Sequence, residues 1–137
     1  MFRTAELGQT VAGKEFKKRS LELRQRLLET QVLLDRSRDF SVMIDFAGVD
    51  GAGKGSSVNL LHAWMDTRLI TTNAYDRTTA AKRRRPRFWR YWRDLPRRGR
   101  IALNLSGRYS HPFLDRVNEH ISEKDYVAEL QRIQAFE

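Results

Sequence analysis

The sequence predicts an α/β fold, a parallel sheet flanked by helices and preceded by one long N-terminal helix. Three observations carry this expectation. The run Phe40-Ser-Val-Met-Ile-Asp-Phe-Ala47 is short, β-branched or aromatic, and leads straight into a glycine-rich turn, Gly48-Val-Asp-Gly-Ala-Gly-Lys-Gly55. A helical pattern follows that turn. Two further short apolar runs, Ile70–Tyr75 and Ile101–Leu105, are separated by a helical stretch, and strands alternating with helices build parallel sheets.

Taken in order, Lys14–Arg38 contains no Pro or Gly and spaces Phe16, Leu23, Leu27, Val32 and Leu34 as a rough apolar stripe, the mark of a helix packed on a flank. Phe40–Ala47 reads as a buried, parallel-type strand in which Asp45 is a discordant charge. From Lys54 to about Met65 the pattern is helical, with Val58, Leu61 and Met65 on one face and Leu60 and Trp64 beside it. Ile70–Tyr75 is the second strand. Pro86–Leu95 is a short helix, since Pro suits the first helical position. Phe88, Trp92 and Leu95 form one side of it, and Trp89 and Trp92 are read as core residues. Pro96 and Gly99 end it before the third strand, Ile101–Leu105. From Pro112 the chain is again helical, with Tyr126, Leu130 and Ile133 at helical spacing.

A length of 137 residues suits one modest domain with a single core. The absence of cysteine excludes disulfides and thiolate chemistry. The N-terminus has no apolar run of the secretory type, and the apolar stretch at Val42–Val49 is too short to span a bilayer. A cytoplasmic protein is the resulting expectation. The formal charge is +9, and Lys82–Arg100, with ten Lys or Arg and one Asp, holds all of the excess. Charge so concentrated draws an anionic partner.

The spacing Gly48-x4-Gly53-Lys54 on a strand–turn–helix background matches most of the phosphate-loop pattern. Glycines let successive N–H groups face inward, and the following helix N-terminus adds its positive end. Gly48, Gly51, Gly53, Lys54, Gly55 and Ser56 are the loop's candidate phosphate contacts. The hydroxyl residue that usually follows the lysine and holds Mg²⁺ is Gly55 here, with Ser56 and Ser57 next in line. Asp50 has two readings: a cap of the turn or helix, or a residue that holds Mg²⁺ or orients a phosphate oxygen. The stripe Arg83, Arg87, Arg90, Arg93 and Arg97 suits a long phosphate chain, since arginine meets phosphate oxygens bidentately and stays charged. A solvated face and a nucleic-acid surface are its rival readings. His62, His111 and His120 have no metal-ligand spacing.

Several stretches together resemble the polyphosphate kinase 2 family, in particular the N-terminal domain of its two-domain polyphosphate:AMP phosphotransferases. They are Ala47–Gly55, Val58-Asn-Leu-Leu61, Trp64-Met-Asp66, Arg85-Pro86, Phe88-Trp-Arg-Tyr-Trp-Arg93, Leu95-Pro96, Gly99-Arg-Ile101, Ser106-Gly107 with Tyr109, Arg116-Val117, and Ile133 with Phe136-Glu137, besides the opening Met1-Phe2 and Ala5–Gly8. The resemblance implies a P-loop kinase-like fold and Mg²⁺-dependent phosphoryl transfer between inorganic polyphosphate and a nucleotide (AMP/ADP). It implies Lys54 and Asp50 as catalytic residues, Asp50 as the metal ligand, and Arg83, Arg87 and Arg90 as phosphate contacts. A second copy or a catalytic partner domain joins the implied partners, with no membrane and nucleic acid disfavoured.

Two departures qualify it. Catalytic members carry an Asp-Arg pair after the third strand, where this chain has Leu105-Ser106, and Leu cannot ligate Mg²⁺. The family domain also continues past Glu137, so a degenerate or truncated copy is expected: a helical extension (1–39) and a partial kinase-like domain (40–137), its sheet incomplete at the C-terminus. A non-catalytic polyphosphate-binding or scaffold domain and a basic nucleic-acid-binding module are the alternatives.

Overall fold

Three parallel strands of equal length, β1 (Val42–Phe46), β2 (Ile70–Ala74) and β3 (Ile101–Leu105), form one sheet in the order β1-β3-β2. The computed structural model describes residues 10–75, 85–86 and 88–137. Ile101 pairs with Val42 on one side and Ile70 on the other, so the strands run level. Their C-terminal ends, Phe46, Ala74 and Leu105, therefore share one edge of the sheet. Among the described residues β1 has a partner strand on one side only.

The helices are α1 (Gly13–Ser37), α2 (Lys54–Trp64), α3 (Trp89–Arg93), α4 (Ser110–Val117) and α5 (Glu123–Phe136), with a 3₁₀ turn at Thr67–Leu69. No helix among the described residues is long and apolar enough to cross a membrane. The core lies between one sheet face and helices α1 and α2. Leu34, Val58, Ile101 and Leu103 are buried there, with Val42, Ile44, Phe46, Leu61, Met65, Ile70 and Leu105 against them. The period-2 alternation of β3 sends Ala102 and Asn104 to the opposite face.

The α1 helix departs from the expected stripe. Leu34 is buried and Leu27 half-buried, but Phe16, Leu23 and Val32 are exposed. Its deepest residue is instead Gln31, whose amide Nε2 donates to the Asp66 carbonyl (2.9 Å) while its Oε1 accepts from the Asp66 N–H (2.8 Å). Periodicity reads apolar residues only, so a buried amide that satisfies two backbone groups is invisible to it. The helix ends at Arg38 in the left-handed region (φ 53°), its N–H returning to the Leu34 carbonyl. Gly99 crosses this end closely, with φ 82° and room for a Cβ only 3.1 Å from Arg38 Cγ.

The tryptophans are the second departure. Trp89 is 37% and Trp92 66% exposed, and Leu95 is exposed too. Tyr91 fills the buried position on α3, ringed by Tyr75, Phe88 and Phe136. A five-residue helix presents one narrow face, and here that face is centred on Tyr91.

Replacing Gln31 with Leu keeps the volume but strands two backbone groups of Asp66. We expect a loss of about 1–3 kcal/mol, read as a lower urea midpoint at unchanged slope. The Asp66 side chain titrates separately. Hydrogen bonds from the Arg68 guanidinium and backbone hold its carboxyl at about 2, below the ordinary 3.8. A depressed folded-state pKa stabilises above the unfolded value, and the contribution fades as pH falls toward 2. An NMR titration of this carboxyl will show the low midpoint, and Arg68→Ala will return it toward 3.8.

Candidate functional site

At the C-terminal edge of a parallel sheet, loops connecting strands to helices form the crevice where α/β proteins take ligands. Here β1 passes into the glycine-rich turn 48–53 and then α2. Gly48, Gly51 and Gly53 have φ of 150°, 82° and 80°, and the last two lie in left-handed backbone that favours glycine. Gly53 is the N-cap of α2 and offers no side-chain bond to the first turn. The free N–H groups of that turn thus face outward with the positive end of the helix.

Lys54 bends back over this turn. Its Nζ donates to the carbonyls of Gly48 and Val49, both at 2.7 Å, and stands 4.0 Å from Asp50 Oδ1. Most of its side chain is covered, whereas the Asp50 carboxylate is fully exposed. Asp50 caps neither the turn nor α2, so the capping alternative is not what the geometry contains. The Ser57 hydroxyl is engaged with the Gly53 carbonyl (3.1 Å). Gly55 and Ser56 lie exposed in the first turn of α2.

Arg83 and Arg87 lie outside the described residues. Arg90 is half-buried on α3. Its Nη2 donates to the Tyr91 hydroxyl (2.8 Å), and its guanidinium stands 4.8 Å from the Tyr91 ring and 5.4 Å from Tyr75. Burial, then Asp94, pushes the Tyr75 hydroxyl well above the usual tyrosine range. Arg85 and Arg93 each stand 5.0 Å from the Trp89 ring. The tryptophan is therefore a platform for guanidinium groups rather than a core residue.

A polar row crosses the sheet at the level of Asp45, and the sequence hinted at it only through that one discordant charge. Asp45, Asn104 and Asn73 share one register level. Asn73 Nδ2 donates to Asn104 Oδ1 (3.0 Å), and Asn104 Nδ2 donates to Asp45 Oδ1 (2.6 Å). Arg108 Nη2 donates to Asp45 Oδ2 (3.0 Å) and also meets Glu137 Oε1 (3.1 Å). Leu105, half-buried, packs against the apolar core, and Ser106 has φ 53°, its N–H bonded to the Phe46 carbonyl (3.2 Å).

As for metal-ligating groups, His62 Nε2 meets the Thr72 hydroxyl at 2.6 Å, and His120 lies 3.7 Å from Asp115. No cluster of three or more His, Asp or Glu placed to hold a metal occurs among the described residues. Among the described residues, Asp50 is the exposed carboxylate beside Lys54, whereas both oxygens of Asp45 already accept hydrogen bonds. One carboxylate, with water and substrate oxygens completing the shell, is a common way to bind Mg²⁺. The residues present fit the ion in that limited sense.

Comparison with known proteins places this geometry. The model of the polyphosphate kinase 2 (PPK2) family matches residues 10–137. A polyphosphate:AMP phosphotransferase of Pseudomonas aeruginosa is 38% identical over the whole chain, which spans 28% of that protein. The corresponding Pseudomonas syringae protein is 37% identical over 93% of the chain and 25% of its own length. A crystal structure from Pseudomonas aeruginosa PA01, assigned to polyphosphate kinase 2, superposes with a TM-score of 0.89 at 38% identity, covering 99% of this chain and 29% of that one. Polyphosphate kinase 2 from Arthrobacter aurescens superposes with a TM-score of 0.81 at 20% identity, covering 95% of this chain and 47% of that one, which speaks for the fold alone. The chain thus spans 28% and 25% of the length of these two curated relatives.

Gly107 tests the polar row. A Cβ there would lie 3.2 Å from Asp45 Cγ and Oδ2. Asp45, pinned from two sides, has little freedom to yield, so Gly107→Ala will cost about 1–3 kcal/mol in denaturant melts. The same substitution in an Asp45→Ala background will cost far less, because the clashing group is gone.

Proposed function

The chain belongs to the polyphosphate kinase 2 family, and from that premise we propose that it is a polyphosphate-dependent nucleotide phosphotransferase domain with the phosphate-holding half of its site intact. The observation that carries the reading is Lys54, whose ammonium lies over the carbonyls of a glycine turn at a helix N-terminus. Phosphate oxygens, being charged acceptors, would displace those neutral carbonyls as partners of Nζ. The N–H groups of Gly51, Gly53, Gly55 and Ser56 and the α2 N-terminus would receive the same phosphate group. Arg83, Arg87 and Arg90 would hold the next phosphates of the chain.

In this reading the terminal phosphoryl group of polyphosphate passes to a phosphate oxygen of AMP. One P–O bond of the polymer breaks and one P–O–P linkage forms in ADP. Such transfer demands positioning and charge neutralisation rather than covalent help from the protein. Asp50 is the residue that would hold Mg²⁺, which when bound neutralises phosphate charge. We take residues 1–39 as a helical extension and 40–137 as the loop-bearing domain. The setting proposed is cytoplasmic, beside a catalytic partner domain or a second copy.

A second reading, a non-catalytic domain that binds polyphosphate, is favoured by one observation. Leu105, at the position where the family resemblance implies an Asp, packs in the apolar core, and Asp45 is engaged by Asn104 and Arg108. Among the described residues of this edge, Asp50 is then the carboxylate that would hold a metal, which favours a degenerate copy.

The test is to incubate the purified chain with polyphosphate, AMP and Mg²⁺, following ADP formation and polyphosphate binding together. Transfer is the expected result, with Lys54→Ala lowering it by about 10²-fold or more, as loss of a charged transition-state contact does. Binding without transfer would establish the second reading. Preference for a DNA or RNA oligomer over polyphosphate at equal salt would overturn both. Salt must be matched because ~6–10 phosphate contacts can lose about 10³–10⁵ in affinity between low and moderate salt.

A further inference from the structure

Arg108 lies just past β3 with its side chain 5% exposed. It holds Asp45 of β1, the residue three before Gly48, and reaches Glu137 at the end of α5. Its guanidinium also stands 5.9 Å from the Tyr91 ring and 5.1 Å from that of Phe136. Tyr91 in turn accepts the hydrogen bond from Arg90 and packs edge-on to Tyr75 at 4.7 Å. An unbroken series of contacts thus runs Asp45–Arg108–Tyr91–Arg90, from the strand that carries the glycine turn to the basic helix.

Stability alone does not account for a guanidinium in this place. Burying it carries a desolvation cost that ion pairing offsets only with good geometry, and a packed apolar side chain often does as well or better. Its Nε is buried with no partner among the described residues, a further cost. What an apolar residue could not do is fix Asp45 and the Tyr91 ring with one rigid, planar group.

We propose that Arg108 is a positioning residue that sets Arg90 in register with the glycine-rich turn, so that Lys54 and Arg90 grip one phosphate chain together. The inference rests on the polyphosphate reading above and adds what couples its two phosphate-holding elements. Its signature is energetic coupling. When two groups grip one ligand in a fixed register, losing the first devalues the second.

The experiment measures tripolyphosphate affinity for Lys54→Ala, Arg90→Ala and the double variant, in wild-type and Arg108→Lys backgrounds. Lysine keeps the charge beside Asp45 but loses the planar group over Tyr91. In the wild-type background the double variant is expected to bind about five- to tenfold better than independent losses predict. In the Arg108→Lys background that factor falls to about one, within the scatter of independent sites, while melting stays cooperative. An unchanged coupling factor, or independent losses already in the wild-type background, overturns the proposal.

Ligand-free hydrogen exchange separates this from failure of the polyphosphate reading. If wild type binds no tripolyphosphate, that reading falls, and exchange at Gly51–Lys54 and Trp89–Arg93 then decides the role of Arg108. Faster exchange confined to those two segments in Arg108→Lys supports it, and exchange that is unchanged or raised evenly everywhere overturns it.

Discussion

A carboxylate set within a parallel strand is the constraint on which the rest of this sheet edge depends. Asp45 is mostly covered, and a buried charge is tolerated only when its oxygens are fully engaged. Asn104 on the central strand supplies one donor and Arg108 the other. Each partner imposes a further condition. Asn104 needs its own oxygen filled, which Asn73 does from β2. Arg108 must come close to β1, and a Cβ at Gly107 would crowd the Asp45 carboxylate at 3.2 Å. The path Leu105-Ser106-Gly107-Arg108 is thereby moulded around one carboxylate, including the left-handed Ser106 that turns it.

The electrostatics of the edge follow the same economy. Lys54 donates to loop carbonyls, and the arginines of the basic segment rest on aromatic rings: Arg85 and Arg93 on Trp89, Arg90 on Tyr75 and Tyr91. Ring faces attract cations and hold a guanidinium in a plane without neutralising it. Carboxylates would quench the positive field. Ring faces instead orient the charge. Arg93 also pairs with Asp94.

How much of this was legible in the sequence depended on distance along the chain. The third strand was expected at Ile101–Leu105 and lies there, and α2 stops one residue short of Met65, since a strand–turn–helix unit is specified by neighbours. The apolar face Val58, Leu61 and Met65 was also legible. Contacts between distant segments were not. Gln31 looks like an ordinary surface residue of a charged helix until Asp66, 35 residues on, is beside it. Asp45 announced itself as discordant, but its partners, 59 and 63 residues away, carry no periodic signal. The tryptophans misled for a related reason. Size suggested burial, whereas surrounding arginines, folded back over Trp89, make partial exposure the better arrangement. At the candidate site, glycine spacing revealed the turn, but neither the posture of Lys54 nor the isolation of Asp50 could be read from spacing.

That isolation bears on how a metal could enter this site at all. A magnesium ion dehydrates reluctantly, and one exposed carboxylate offers it little more than bulk water does. Leu105, turned into the core, adds no oxygen, and Asp45 is fully committed to its donors. In the proposed reaction, phosphate oxygens would add to the ligands these described residues offer. In the proposed reaction the ion would arrive already bound to its anionic substrate, with Asp50 as an anchor rather than a cage. Metal affinity and phosphate affinity would then be two faces of one binding event. The burden of holding the substrate shifts to Lys54, the α2 N-terminus and the arginines. In the proposed reaction, then, the protein's cations would carry the larger share of substrate binding and the metal site the smaller.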